Sequence, residues 1–190
     1  MNYVVLIELK NEYINNLKNI LTPILHNRLD NIYDKAKRNK NQKIILKKFQ
    51  TYLKEISQWN QQELEIEKKI FLDSTLKYPY LLNLIKTLFL IYIKLLSLDS
   101  LPIEYYDGIN FNEFLHNIYI ECGRQFWNSP HLFYDKYAPL DIKRNKNEIK
   151  KIINDCIENT IRNSLPMNMI VNSLLGQQKL ENNNKFELSV

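Results

Sequence analysis

The chain has 190 residues, with 26 Lys and Arg against 21 Asp and Glu, for a formal net charge of +5. Its apolar share of 45% and charged share of 25% are those of an ordinary globular protein. Three glycines are too few for a hairpin-rich sheet or a glycine-built phosphate cradle, and no G-x-x-x-x-G-K-[ST] run occurs.

A chain of this length can bury roughly 70% of its unfolded surface and needs no covalent staple. The opening MNYVVLIELKNEY has no basic leader and no small-residue cleavage site, so no signal peptide is expected. Residues 1–7 alternate poorly and read as a short strand or an extended arm. From about Glu8 to Lys37, Tyr13, Leu17, Ile20, Leu21, Ile24, Leu29, Ile32 and Tyr33 recur at helical steps. Pro23 should kink that helix, or divide it with Thr22 as a new cap. A second amphipathic helix spans about 42–58, with Ile45, Phe49, Tyr52, Leu53 and Ile56 on one side. Trp59-Asn60 ends it, and a third helix runs to about Leu72.

Residues 80–98, YLLNLIKTLFLIYIKLLSL, are long enough to cross a bilayer. Lys86, Lys94 and Asn83 fall near one side of the helical wheel, which favours an apolar helix at the centre of the fold over a membrane span. A loop follows through Pro102 and Asp107-Gly108. Asn110 can cap the next helix, with Glu113 in capping-box position and a stripe of Phe111, Phe114, Leu115, Ile118, Cys122 and Phe126. Ser129-Pro130 stops it. Residues 130–144 read as a loop. Asn145 is then expected to cap a helix to about Leu165, with Glu148 three residues on and a stripe of Ile149, Ile152, Ile153, Cys156, Thr160 and Ile161. A short helix ends at Gly176. The expected fold is all-α: a single-domain multi-helix bundle over residues 1–176, with a flexible polar tail over 177–190.

Chemistry is sparse. His26, His116 and His131 are far apart, and the two cysteines lack C-x-x-C spacing. His116 beside Glu113 could hold a metal but reads better as a satisfied histidine. Cys122 and Cys156 fall on apolar faces, as buried reduced thiols do. Glu63 with Glu67, and Glu65 with Lys69, have the spacing of solvated helix-surface pairs. No catalytic residue, cofactor, metal or small-molecule substrate is expected, and the chain reads as no enzyme.

Two surfaces remain. From Lys35 to Lys54 there is no acid, and Lys40, Lys43, Lys47 and Lys54 can line one side of the second helix. Such a stripe could follow a phosphate backbone; the plainer reading is a solvated helix-loop junction. Lys143, Arg144, Lys146, Lys150 and Lys151 cluster at the expected start of the Asn145 helix, where cations oppose the helix dipole and an external anion could compensate. The second surface is ECGRQFWNSPHLFYDKYAPL, residues 121–140. Leu132, Phe133 and Tyr134 can fold back as an apolar plug that closes a helix corner. Alternatively Arg124, Phe126, Trp127, Asn128, Pro130, Phe133 and Tyr134 form a patch with the composition of an interface hot spot.

The same residues carry a resemblance. Gly123-Arg124, Phe126-Trp127, Asn128, Pro130, Leu132-Phe133, Arg144-Asn145, Ile161-Arg162 and Leu165-Pro166 resemble the C-terminal signature of an uncharacterised protein family of nucleocytoplasmic large DNA viruses. ELKNEY (8–13), ILTPIL (20–25), IYDKA (32–36) and FQTYLKEISQWN (49–60) resemble its N-terminal half, so the likeness spans most of 5–175. Gly123 departs from the pattern, where Ala is expected; glycine costs a helix about 1 kcal/mol relative to alanine. The resemblance implies a viral protein and transfers no activity or site residue. On this reading the chain is a structural or interaction protein of the virion, a minor capsid or capsid-associated adaptor whose partners are other viral structural proteins. The alternative is a basic nucleic-acid-binding protein of the virus factory or packaged genome. Either role places it in the virion, or in the host cytoplasm during infection.

Overall fold

The computed structural model describes residues 2–38, 44–98 and 110–176. Among the described residues seven α-helices carry the fold: α1 (Tyr3–Lys37), α2 (Ile45–Glu55), α3 (Gln61–Ser74), α4 (Leu81–Ser97), α5 (Phe111–Asn128), α6 (Pro139–Asn163) and α7 (167–176). Single 3-10 turns follow α2 at Ile56–Gln58 and α5 at Pro130–Phe133. There is no strand among the described residues. The protein is a single all-α domain.

Four of these helices close a bundle. α1 packs on α2 and α6, and α5 packs on the same two from the other side. Residue pairs set the directions. Gln50 reaches the Trp127 carbonyl while the Ile56 carbonyl meets His116, so α2 runs against α5. Lys18 meets Glu158 and Thr22 meets Asn154, so α6 runs against α1. The interior is filled by Leu17, Leu21, Leu25 and Leu29 from α1, Phe49 and Leu53 from α2, Ile118, Cys122 and Phe126 from α5, and the isoleucine stripe of α6. Helical spacing puts these residues on one face of each helix and so dictates which faces meet.

α4 lies outside this ring and meets α1 most extensively, which gives α1 packed neighbours on three sides. Its buried positions, from Leu81 to Ser97, sweep most of its circumference, and Lys86 and Asn83 remain exposed. Among the described residues no helix is long and apolar enough to cross a membrane. α3 packs on α5 and buries only Phe71, against Phe111. Asn60 caps it in a two-way box: its side chain accepts from Gln62 and Glu63 amides, and Glu63 returns a bond to the Asn60 amide.

Three local expectations are corrected. Residues 3–7 are not a strand or an arm but the first turns of α1, capped by the Asn2 side chain on the Val4 amide. Leu6, Ile14, Leu17 and Leu21 continue one buried face, while Val4, Val5 and Ile7 point to solvent. Pro23 does not divide α1. It sits exposed, as does Asn19, whose carbonyl loses its amide partner to the proline ring and can turn to water. Thr22 is no cap; its hydroxyl donates to Asn154 Oδ1 at 2.6 Å. Asn145 does not start the following helix. α6 begins two turns earlier, with Pro139 at its first position and Asp141 in the first turn. A proline there loses no helical hydrogen bond and an acid favours the dipole. The basic cluster therefore lies inside the helix, with Arg144 3.6 Å from Asp141, and the case for an external anion at a helix start falls away. The expected loop through Pro102 and Gly108 and the polar tail over 177–190 lie outside the described residues.

The α1–α6 seam is polar at one level. Glu158 accepts from Lys18 at 2.6 Å and from Arg162 at 2.6 Å. The Lys18 hydrogen bond, opposed by burial and aided by Arg162, holds its carboxyl below the ordinary carboxylate range. Its contribution to stability is then complete above the unfolded value of about 4.3 and is lost as pH falls through the lower folded value. In thermal unfolding followed from about pH 6 to about pH 3, across the ordinary carboxylate range, the gap between wild type and Glu158→Gln is expected to narrow on acidification. A constant gap would show that the carboxylate charge contributes nothing.

Candidate functional site

The last two turns of α5 and the turn after them split the 121–140 stretch into an inside and an outside. Phe126 continues the apolar stripe of α5 and is fully buried. Trp127 is one position, about 100° of wheel, further round, and remains 47% exposed. Ser129-Pro130 ends the helix, and the 3-10 turn carries Leu132 and Phe133 back into the core. Phe133 is the centre of an aromatic cluster, with ring centroids 4.9 Å from Phe49, 5.0 Å from Phe126, 6.2 Å from Tyr33 and 6.3 Å from His26. The plug that closes the bundle end therefore forms. Phe126 and Phe133, expected among the interface residues, are core residues and leave that patch. Pro130 is half-buried, and Tyr134 is half-buried with its ring edge on Tyr137.

What stays outside is Arg124, Trp127 and Asn128. The Arg124 guanidinium lies 3.9 Å from Glu121 and its side chain is 73% exposed. Asn128 donates to the Arg124 carbonyl, and Gln50 of α2 donates to the Trp127 carbonyl at 2.7 Å. The end of α5 is thus held in place without using the Trp or Arg side chains.

These side chains rim a groove of about 390 Å³ between α2 and α5, whose floor is Leu53, Ile120 and Gly123 and whose opposite rim is Lys54 and Ser57. The groove exists because the two helices approach closely at Gly123. A Cβ there would lie 3.0 Å from the Leu53 carbonyl oxygen and 3.4 Å from Ile56 Cδ1. The glycine that departs from the alanine expected in the sequence resemblance therefore has a packing reason. Gly123→Leu is expected to lower stability by about 1–3 kcal/mol, as overpacking does, measured by urea unfolding. A neutral result would mean that α2 can shift freely along α5.

The basic stripe is brought only partly into view. Lys47 and Lys54 are both exposed on α2, seven positions apart and so on one face, and Lys54 belongs to the groove rim. Lys40 and Lys43 lie outside the described residues. Lys35 and Lys37 are engaged elsewhere: Lys35 Nζ sits 4.4 Å from the Tyr52 ring centroid, and Lys37 bridges Asp34 at 2.7 Å and Asp135 at 2.9 Å.

A family model described as a family of unknown function, DUF5764, matches residues 3–134. The chain belongs to that family. No curated protein and no solved structure matches it. The DUF5764 match takes in α1 to α5 and the 3-10 turn, so the plug, Gly123 and the whole rim of the α2–α5 groove fall inside it, and α6 and α7 fall beyond it.

Other candidates of the DUF5764 chain resolve into structure. His116 Nε2 lies 2.8 Å from the Ile56 carbonyl and its ring stacks on Trp59, so it is a satisfied histidine. No group of metal-ligating side chains converges among the described residues. Cys122 and Cys156 are free and buried; the Cys156 thiol and burial push the Cys122 thiol well above its ordinary value. The carboxylate pairs are not all solvated. Glu67 accepts from both Arg28 Nε, at 3.1 Å, and Arg28 Nη2, with each side chain only 18% exposed. Glu65 pairs with Lys68 rather than Lys69, at 3.6 Å. The Arg28–Glu67 pair is the polar feature that sequence reasoning missed; its partners are on different helices and no local spacing announces them.

Proposed function

We propose that this chain is a non-catalytic adaptor of a large DNA virus, a minor capsid or capsid-associated component of the particle that bridges larger viral subunits. It would reside in the virion, and in the virus factory of the host cytoplasm during assembly. The observation that carries the reading is the exposed Trp127–Arg124 pair over an apolar groove floor with Lys54 opposite. Trp and Arg concentrate in the energetic centres of protein interfaces, and here both stand on a helix whose backbone is pinned by Gln50 and Asn128. The resemblance of the 118–166 segment to a family of large DNA viruses supplies the setting.

Particles stripped of their genome test it. The chain is expected to stay with the shell, and the Trp127→Ala, Arg124→Glu double variant to be lost from it while keeping a wild-type circular dichroism spectrum. Departure of the wild-type chain together with the genome would sink the adaptor reading. A second reading, nucleic-acid binding, is favoured by one observation: Lys47 and Lys54 share an exposed face of α2. It requires DNA binding that weakens steeply with salt and is relieved by Lys47→Glu with Lys54→Glu.

A further inference from the structure

Cys122 and Cys156 take no part in the contact patch or in the groove. Each lies on the buried stripe of its helix, Cys122 on α5 and Cys156 on α6, and both are free thiols, at 0% and 1% exposure. The two helices pack on each other and run antiparallel. Thr160, Asn163 and Ser164 near the end of α6 stand beside Asn110, Glu113 and Asn117 at the start of α5, and α6 also packs on the 3-10 turn that follows the end of α5. A step back along α6 is therefore a step forward along α5. One turn back from Thr160, Cys156 comes level with Cys122 and within hydrogen-bonding reach of its thiol.

Facing positions of packed helices suit a disulfide. Axes about 8–10 Å apart, with Cα atoms about 2.3 Å off each axis, bring facing Cα atoms into or near the range of about 4.4–6.8 Å that the bond requires. What the closed bundle denies is access. An oxidant must touch a sulfur, and exchange needs a thiolate. Both sulfurs are sealed, and the Cys156 thiol together with burial holds the Cys122 thiol well above its ordinary value. The open chain has neither obstacle. There one protein thiolate attacks a small disulfide such as oxidised glutathione, forming a mixed disulfide and releasing one glutathione thiolate. As α5 and α6 meet, the second protein thiolate attacks the bonded protein sulfur and expels the other glutathione thiolate. Each released thiolate takes up a proton that a protein thiol gave up. Two protein thiols and one oxidised glutathione thus become one internal disulfide and two reduced glutathiones.

We infer that Cys122 and Cys156 are a latent cross-link between α5 and α6, made by exchange with a small-molecule disulfide while the bundle is open and then sealed in the redox state in which it closed. The bond ties α5 to α6 across about 34 residues of chain and so removes freedom from the unfolded state. The experiment unfolds the purified full-length chain in urea with a thiol reductant, removes both, and refolds it in a mixture of reduced and oxidised glutathione. Free thiols are then alkylated in denaturant and the intact mass is read. The main product is expected to be two hydrogens lighter than the dithiol chain, with no alkyl or glutathione adduct, and to have a higher urea midpoint than chain refolded with reductant. Native dithiol chain given the same mixture without urea should oxidise about tenfold more slowly or less. Where refolding is incomplete, native chain held with the mixture in urea below its unfolding transition gives the same mass readout. Alkylated thiols, glutathione adducts or linked dimers as the main product would show that the two sulfurs do not meet. A lower midpoint for the oxidised chain would show that the seam does not accept the bond. Oxidation of the native chain as fast as the unfolded one would show that closure seals nothing. Each of these three results overturns the inference.

Discussion

Phe133→Ala is expected to cost about 3–5 kcal/mol, the range for removing a buried phenylalanine ring. The ring is buried at the centre of Phe49, Phe126, Tyr33 and His26, contributed by three helices, so no single neighbour can relax into the space it leaves. The 3-10 turn also loses the side chain that returns the chain to the bundle after Pro130. Trp127→Ala, six residues earlier, should cost under about 1 kcal/mol, because half of that side chain is in water and its carbonyl, not its ring, holds the Gln50 bond. Urea unfolding of the two variants separates the roles: Phe133 for the fold, Trp127 for contact. Equal losses would mean that Trp127 is part of the core and the contact patch does not exist.

Glu67→Ala is expected to cost about 3 kcal/mol, the lower end for breaking a buried ion pair, since each partner keeps a little exposure. The loss comes from what remains. Arg28 cannot discharge, and its part-buried guanidinium would be left beside the Tyr119 phenol without the carboxylate that accepts from it twice. Replacing both partners, Arg28→Met with Glu67→Leu, removes the stranded charge and should recover most of the loss. Additive losses in this double-mutant cycle would show that the two side chains act independently.

The helices were largely legible because their apolar residues recur at three- and four-residue steps, and the same wheel that put Phe126 in line with Phe114, Leu115, Ile118 and Cys122 placed Trp127 outside it. The expected interface patch is wider than the exposed one because residues adjacent in the chain need not be adjacent on the surface. The start of α6 has its own signal, proline at the first helical position with an acid two residues on, while Asn145 imitates a cap from inside the helix. The β-branched residues Val4, Val5 and Ile7 obscured the first turn of α1, whose register only Leu6 reveals. The groove and the Arg28–Glu67 pair had no local signature. They depend on which helices become neighbours, and Gly123 is understood only once the Leu53 carbonyl stands above it.

Among the described residues α3 buries one side chain, Phe71, and leans on one inter-helix ion pair, while the four-helix core closes without it. Its detachment would expose little oil and leave the remaining rods seated. Local opening of this helix is therefore cheaper than global unfolding, and its amides should trade hydrogen for deuterium well before those of α1 or α5. The flank of α5 thus holds the least firmly seated helix, tied down by one ring and one ion pair while the frame stays shut.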